Sequence, residues 1–160
     1  MTIAVGDKIP DVEIKTMGPE GPKSISTQEA LGHGRVVLFA VPGAFTPGCS
    51  RFHLPGFVQG AEELSAKGVD RVACIAVNDA FVMDAWAQDQ TVGDKILMLA
   101  DGNAEFANAV GLVMDGSGFG LGQRSKRYAM VLDDGVVTRL DVDEKGGVDV
   151  SSCQNVLAHL

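Results

Sequence analysis

Residues 35–52 read RVVLFAVPGAFTPGCSRF. After Arg35 the first six side chains are all apolar and rich in β-branched types, the pattern of a strand buried on both faces. Pro42 cannot donate to a sheet ladder, and Gly43 with Pro47-Gly48 permits a tight reversal, so the strand ends at Val41. A helix then begins near Cys49, which places that thiol in a first helical turn. There the unpaired backbone N–H groups and the positive end of the helix dipole favour an anion. A purely structural cysteine needs apolar neighbours and makes no demand for a turn framed by prolines. The segment reads as strand, turn and helix N-terminus arranged around a thiol.

The same grammar continues outward. DRVACIAV (70–77), KILMLA (95–100) and RYAMVLD (127–133) are short apolar runs bounded by Gly, Asp or Lys and Arg, and each predicts a buried strand. Between them SRFHLPGFVQGAEELSAKG (50–68), DAFVMDAWAQDQ (79–90) and NAEFANAVG (103–111) carry helical patterns closed by Gly or a polar break. Strand and helix in alternation require parallel crossovers, hence an α/β sheet. YAMVLDDGVVTRLDV predicts a hairpin turning at Asp134-Gly135. SSCQNVLAHL (151–160) predicts a closing helix capped by Ser151 or Ser152. A β-α-β arm, a further helix and a terminal hairpin plus helix make a thioredoxin-like arrangement, a central mixed sheet flanked by helices. With no repeat, linker or low-complexity tract, residues 1–160 read as one domain.

Bulk properties narrow the function. The 160 residues are 46% hydrophobic and 21% charged, enough for one core. A net charge of −8 opposes nucleic-acid binding, where basic side chains must replace phosphate counterions. The start, MTIAVGDKIPDVEIK, lacks a basic flank followed by an apolar stretch, and the longest fully apolar run, 36–41, is far too short to span a membrane. The expectation is a cytoplasmic protein without nucleic-acid or membrane partners. Three cysteines, Cys49, Cys74 and Cys153, are an odd number with no C-x-x-C pair, which argues against a disulfide scaffold or a zinc finger. His33 and His159 have no ligand spacing around them, so no metal and no cofactor are expected.

A thiol at a helix start is not fast on that account alone. If its pKa fell from ~8.5 to ~6, the thiolate fraction near neutral pH would rise roughly tenfold. Intrinsic nucleophilicity would fall about tenfold too, for a Brønsted slope of ~0.45 borrowed from thiol–disulfide exchange. The two effects nearly cancel, so groups that stabilise the transition state are required. Thr46, three residues before Cys49, can bring a hydroxyl to the sulfur.

VPGAFTPGCSRFHLPGF closely resembles the P-x-x-x-T-x-x-C signature of peroxiredoxins, in particular the atypical type II or type V subfamily. The likeness continues through VACIAVNDAFVMDAWA and RSKRYAMVLDDG into the last helix, so it covers essentially the whole chain. It implies a thiol-dependent peroxidase with Cys49 as the peroxidatic cysteine, Thr46 and Pro42 as motif partners, and Arg127 as the distant arginine before YAMV. Arg124 is the reserve for that last role. The expected reaction converts Cys49 to a sulfenic acid at the cost of hydrogen peroxide or an alkyl hydroperoxide. An external thiol, from glutaredoxin with glutathione or from thioredoxin, restores it. Relatives also imply a homodimer that packs near the active-site loops.

The other two cysteines bear on resolution. Cys74 lies in a continuous apolar run and reads as a packed, inert thiol, although some plant relatives carry a redox cysteine at a similar place. Cys153 follows two serines in a first helical turn, a position that could expose it and lower its pKa. The mammalian-type resolving cysteine corresponds to Val150 instead, so that role is not carried over to Cys153. Rival functions remain open at this point: a Cys-His acyl-transfer hydrolase using His53, four residues after Cys49, and a peroxide-responsive sensor without efficient turnover. Pro55 interrupts the helical pattern between Cys49 and any continuation of that pairing. GSGFGLG (116–122) lacks phosphate-loop spacing and reads as a connecting loop. Trp86 with Phe81, Val82 and Met83 reads as core.

Overall fold

The computed structural model describes residues 2–145 and 147–160. A seven-stranded sheet runs in the order β2-β1-β5-β4-β3-β8-β9. Its members are β1 (Glu13–Gly18), β2 (Gly21–Ser26), β3 (Arg35–Ala40), β4 (Arg71–Ala76), β5 (Leu97–Ala100), β8 (Arg127–Asp133) and β9 (Val136–Asp143). Strands β3, β4 and β5 are parallel, while β1 and β8 join them antiparallel. The sheet is therefore mixed, and the fold is thioredoxin-like, as the alternation of strand and helix implied.

Side-chain alternation along β3 builds the two cores. Val37, Phe39 and Val41 enter one cluster with Leu54, Phe57 and Trp86; Val36, Leu38 and Ala40 enter the other with Leu31, Phe106 and Tyr128. A strand covered on both faces must be apolar throughout, which is why 36–41 carries no polar side chain. The helices that cover it are α1 (Thr27–Leu31), α2 (Leu54–Ala66), α3 (Ala80–Asp89), α4 (Glu105–Val110) and α5 (Cys153–Ala158). Asp79 caps α3 by accepting from Val82 N at 2.8 Å. No helix among the described residues is long and apolar enough to cross a membrane.

The hairpin between β8 and β9 turns where expected. Asp134 and Gly135 both have positive φ, 47° and 82°, as a two-residue primed turn demands. Differences from expectation lie at the edges. The hairpin of β1 and β2 was not anticipated, because its outer strand is largely exposed and polar. Within 116–122 a short 3-10 turn, Ser117–Phe119, links β6 (Val113–Asp115) to β7 (Gln123–Ser125). Phe81 is 67% exposed and is not core, whereas Met83 and Trp86 are buried. Ser152 and not Ser151 caps α5, accepting from Asn155 N.

Cys153 also departs from expectation. It is buried, and burial followed by the charge of Glu63 pushes its thiol up to about 11. The cause is the close approach of α5 to α2: a Cβ on Gly60 would stand 2.5 Å from Cys153 Sγ, so only glycine fits there. A first-turn position exposes a thiol only when nothing packs against that turn.

Candidate active site

Pro42 to Cys49 connects β3 to the helix that leads into α2. Phe45 sits in the turn at φ 64°, a left-handed conformation that costs a non-glycine residue roughly 1–2 kcal/mol. Beyond it the chain is helical from 47 onward, and residues Cys49–His53 form a π turn in which Leu54 N–H donates to Cys49 O. The widened turn lies just ahead of Pro55, whose ring and missing N–H oppose regular α geometry. Pro55 therefore does not end the helix; the helix changes pitch to admit it.

Cys49 is fully buried, and Pro42 and Thr46 in the turn ahead of it are half-buried. Two polar groups reach its sulfur. Thr46 Oγ1 lies 2.9 Å from Cys49 Sγ and 2.7 Å from Gly43 O. Its single proton can serve either acceptor, so it turns to the sulfur when the sulfur is a thiolate. Arg127, at the start of β8, also donates from Nη2 to Cys49 Sγ at 3.1 Å. A Cβ on Gly48 would come within 3.2 Å of that nitrogen, so glycine there lets the guanidinium close on the turn.

The structure separates the two arginines. Arg127 meets the sulfur, and Arg124 holds the turn, donating from Nη1 to Pro42 O at 3.2 Å and from Nε to Leu121 O at 3.1 Å. Ala44 N adds a bond to Asn78 Oδ1 at 2.9 Å. The turn is thereby tied to two neighbouring loops.

His53 does not face the sulfur. Its Nδ1 is 2.9 Å from Arg127 Nη1 and its Nε2 is 2.9 Å from Ser151 O. An arginine only donates and a carbonyl only accepts, so the proton sits on Nε2 and Nδ1 accepts. Desolvation, then the adjacent guanidinium, lowers the His53 pKa to about 3. With both nitrogens committed and Arg127 between it and the thiol, His53 cannot act as the base of a hydrolase. The role of His53 had no local signal in the sequence, because its partners Arg127 and Ser151 lie 74 and 98 positions away and meet it through folding alone. Cys74 is also fully buried, and burial raises its pKa well above the ordinary thiol range.

A buried thiol between a threonine hydroxyl and a guanidinium, at the end of a thioredoxin-like strand, agrees with the relatives that the chain matches. The Redoxin family pattern matches residues 4–157. The chain is 51% identical over 164 residues to the chloroplastic peroxiredoxin-2E-2 of Oryza sativa subsp. japonica, spanning 99% of this chain and 73% of that relative. This chain is a peroxiredoxin. It is 43% identical to peroxiredoxin-2B of Arabidopsis thaliana, over 99% of this chain and 98% of that one. Among solved structures it superposes on the reduced Prx3 of Vibrio vulnificus in complex with hydrogen peroxide with a TM-score of 0.94 and 49% identity, each chain covered to 99%. The peroxiredoxin family confers thiol-dependent peroxidase activity, and the type II likeness read from PGAFTPGC holds across the chain.

Proposed function

We propose that this peroxiredoxin reduces hydrogen peroxide and alkyl hydroperoxides through a sulfenic acid on Cys49, with Thr46, Arg127 and Pro42 as its working partners. The observation that carries this is the pair of donors on one sulfur, Thr46 Oγ1 at 2.9 Å and Arg127 Nη2 at 3.1 Å. The Cys49 thiolate attacks one peroxide oxygen; the S–O bond forms as the O–O bond breaks, and the departing oxygen leaves as hydroxide or alkoxide and takes a proton from water. Negative charge moves from sulfur to that oxygen, so donors fixed around the sulfur stabilise the transition state without reorganising. Arg127 holds its aim with Nη1 bound to His53 Nδ1 while Nη2 serves the sulfur. Pro42 shields the sulfur on this reading, which its carbonyl bond from Arg124 supports by fixing the turn.

An external thiol then reduces the sulfenic acid. Cys74 and Cys153 are both buried with raised pKa values, a poor state for a resolving nucleophile. A homodimer near the site is supported by exposed Phe45, Phe81 and Phe119, at 51%, 67% and 88%: Phe45 in the turn that Arg124 and Asn78 brace, Phe81 in the first turn of α3 and Phe119 in the short 3-10 turn.

The test is the rate of hydrogen peroxide loss on mixing with reduced protein, for wild type and Cys49→Ser, with turnover sustained by glutaredoxin plus glutathione or by thioredoxin. The expected wild-type rate exceeds that of free cysteine by orders of magnitude, is abolished in Cys49→Ser, and survives in Cys74→Ser and Cys153→Ser. A wild-type rate equal to free cysteine overturns the peroxidase; an intramolecular disulfide in the oxidised protein overturns the external reductant.

A further inference from the structure

A single polar chain runs from the reactive sulfur to the last loop of the molecule: Cys49 Sγ, Arg127, His53, Ser151, Asp143. The geometry points to Asp143 and Ser151 as positioning residues that aim Arg127 at the sulfur through His53, an assignment that rests on the peroxide chemistry proposed above.

The first link is the tautomer. Arg127 Nη1 has its acceptor in His53 Nδ1 only while the imidazole proton stays on Nε2, and Nε2–H is held there by the carbonyl of Ser151. If that carbonyl moved away, a buried N–H would lose its partner, and the ring would gain by shifting its proton to Nδ1. A donor would then face the guanidinium, which would have to turn from its present aim.

The second link is what fixes the carbonyl. Asp143 is the last residue of β9, and strand register sets it opposite Arg127. Two groups of opposite charge at paired ladder positions would ordinarily meet. Here the carboxylate is spent otherwise: it accepts from Ser151 N and Asp149 N on Oδ2 and from Val150 N on Oδ1, each at 3.1 Å, and from the Ser151 hydroxyl on Oδ2. Four donors from one short segment close on one carboxylate, and no Arg127–Asp143 ion pair forms among the described residues. The arrangement does two things together. It pins the Ser151 carbonyl under His53, and it keeps a carboxylate from drawing Arg127 off the thiolate.

The experiment compares wild type, Asp143→Ala and the isosteric Asp143→Asn by three readouts: the peroxide rate, the rate of Cys49 alkylation by iodoacetamide, and the ring 15N NMR signals of His53. In wild type at pH 7 the spectrum should show a protonated Nε2 and a bare Nδ1. In Asp143→Ala the peroxide rate should fall about tenfold or more, with the His53 signals shifted toward mixed tautomers and alkylation within about twofold of wild type, since alkylation forms S–C as C–I breaks and sends the charge to iodide, leaving no departing oxygen for Arg127 to stabilise. Asp143→Asn, which retains one acceptor oxygen, should lie between, and it serves for both if the alanine variant does not fold. Equal loss toward peroxide and iodoacetamide, or an unchanged His53 spectrum with a wild-type peroxide rate, overturns the assignment. A wild type no faster with peroxide than free cysteine overturns instead the function on which it rests.

Discussion

Cys49 and Cys74 lie in the same hydrophobic cluster on the same side of the sheet, and both are completely buried. Cys74 stands on β4 beside Phe39 in the ladder, within the apolar cluster, and burial first, with the neighbouring Cys49 second, drives its thiol away from ionisation against the pull of Arg127. Cys49 has the same lack of water but receives Thr46 and Arg127. Burial in itself silences a thiol; burial with two donors aimed at the sulfur makes a dry site in which those donors act at full strength. What separates the two residues is what their neighbours donate.

That contrast can be broken most forcefully with acid. His53 is held neutral in the fold down to about pH 3, whereas in the unfolded chain it takes a proton near pH 6.5. The unfolded state therefore binds the proton first. This stability is whole above pH 6.5 and is lost as pH falls toward 3, roughly 4–5 kcal/mol over the window. Asp143, whose burial is outweighed by the Ser151 hydroxyl and by the backbone donors, has a lowered pKa and adds a loss of the same sign at the acid end. Nothing comparable arises at Cys74, whose thiol is neutral in both states over that range. Urea unfolding at pH 7, 5 and 4 checks this, and equal stability at all three would refute it.

Arg127→Ala attacks the contrast from the side of rate. It removes one of the two donors on the sulfur and should slow the peroxide reaction by roughly 10²–10³, read by stopped flow under pseudo-first-order conditions. A loss of less than a few fold would mean that the guanidinium is structural. The smallest effect belongs to Cys74→Ser. A buried hydroxyl without a built-in partner should cost about 1–3 kcal/mol of stability and leave the peroxide rate unchanged; a matching drop in rate would show that the two cysteines are coupled in catalysis.

Much of this site was legible because it is local. PGAFTPGC carries the turn, the thiol and the hydroxyl within eight positions, and the central strands announce themselves because a two-sided core leaves no room for polar residues. Arg127 was narrowed to two candidates, since charge and spacing are the same for a guanidinium that meets the sulfur and for Arg124, which braces Pro42. His53 was visible as a residue but not in its function: its partners come from β8 and from the segment ahead of α5. The exposure expected of Cys153 failed for a similar reason, because the flatness of α2 at Gly60 matters only once α5 is laid against it. The hairpin of β1 and β2 hid because its edge strand, β2, stands in water and needs no apolar pattern.

One contact made in the core extends to the bench. Trp86 is the only tryptophan in the chain, and its indole N–H donates to Ser50 Oγ at 2.9 Å, one residue along from the sulfur. On the function proposed above, a protein reductant reaches the fully enclosed Cys49 by an opening of that stretch of helix, which would break or reorient this bond. The protein thus carries its own optical gauge, an intrinsic fluorophore wired to the peptide beside its reactive atom, so that light emission reports how far the helix has let go at each stage of the cycle.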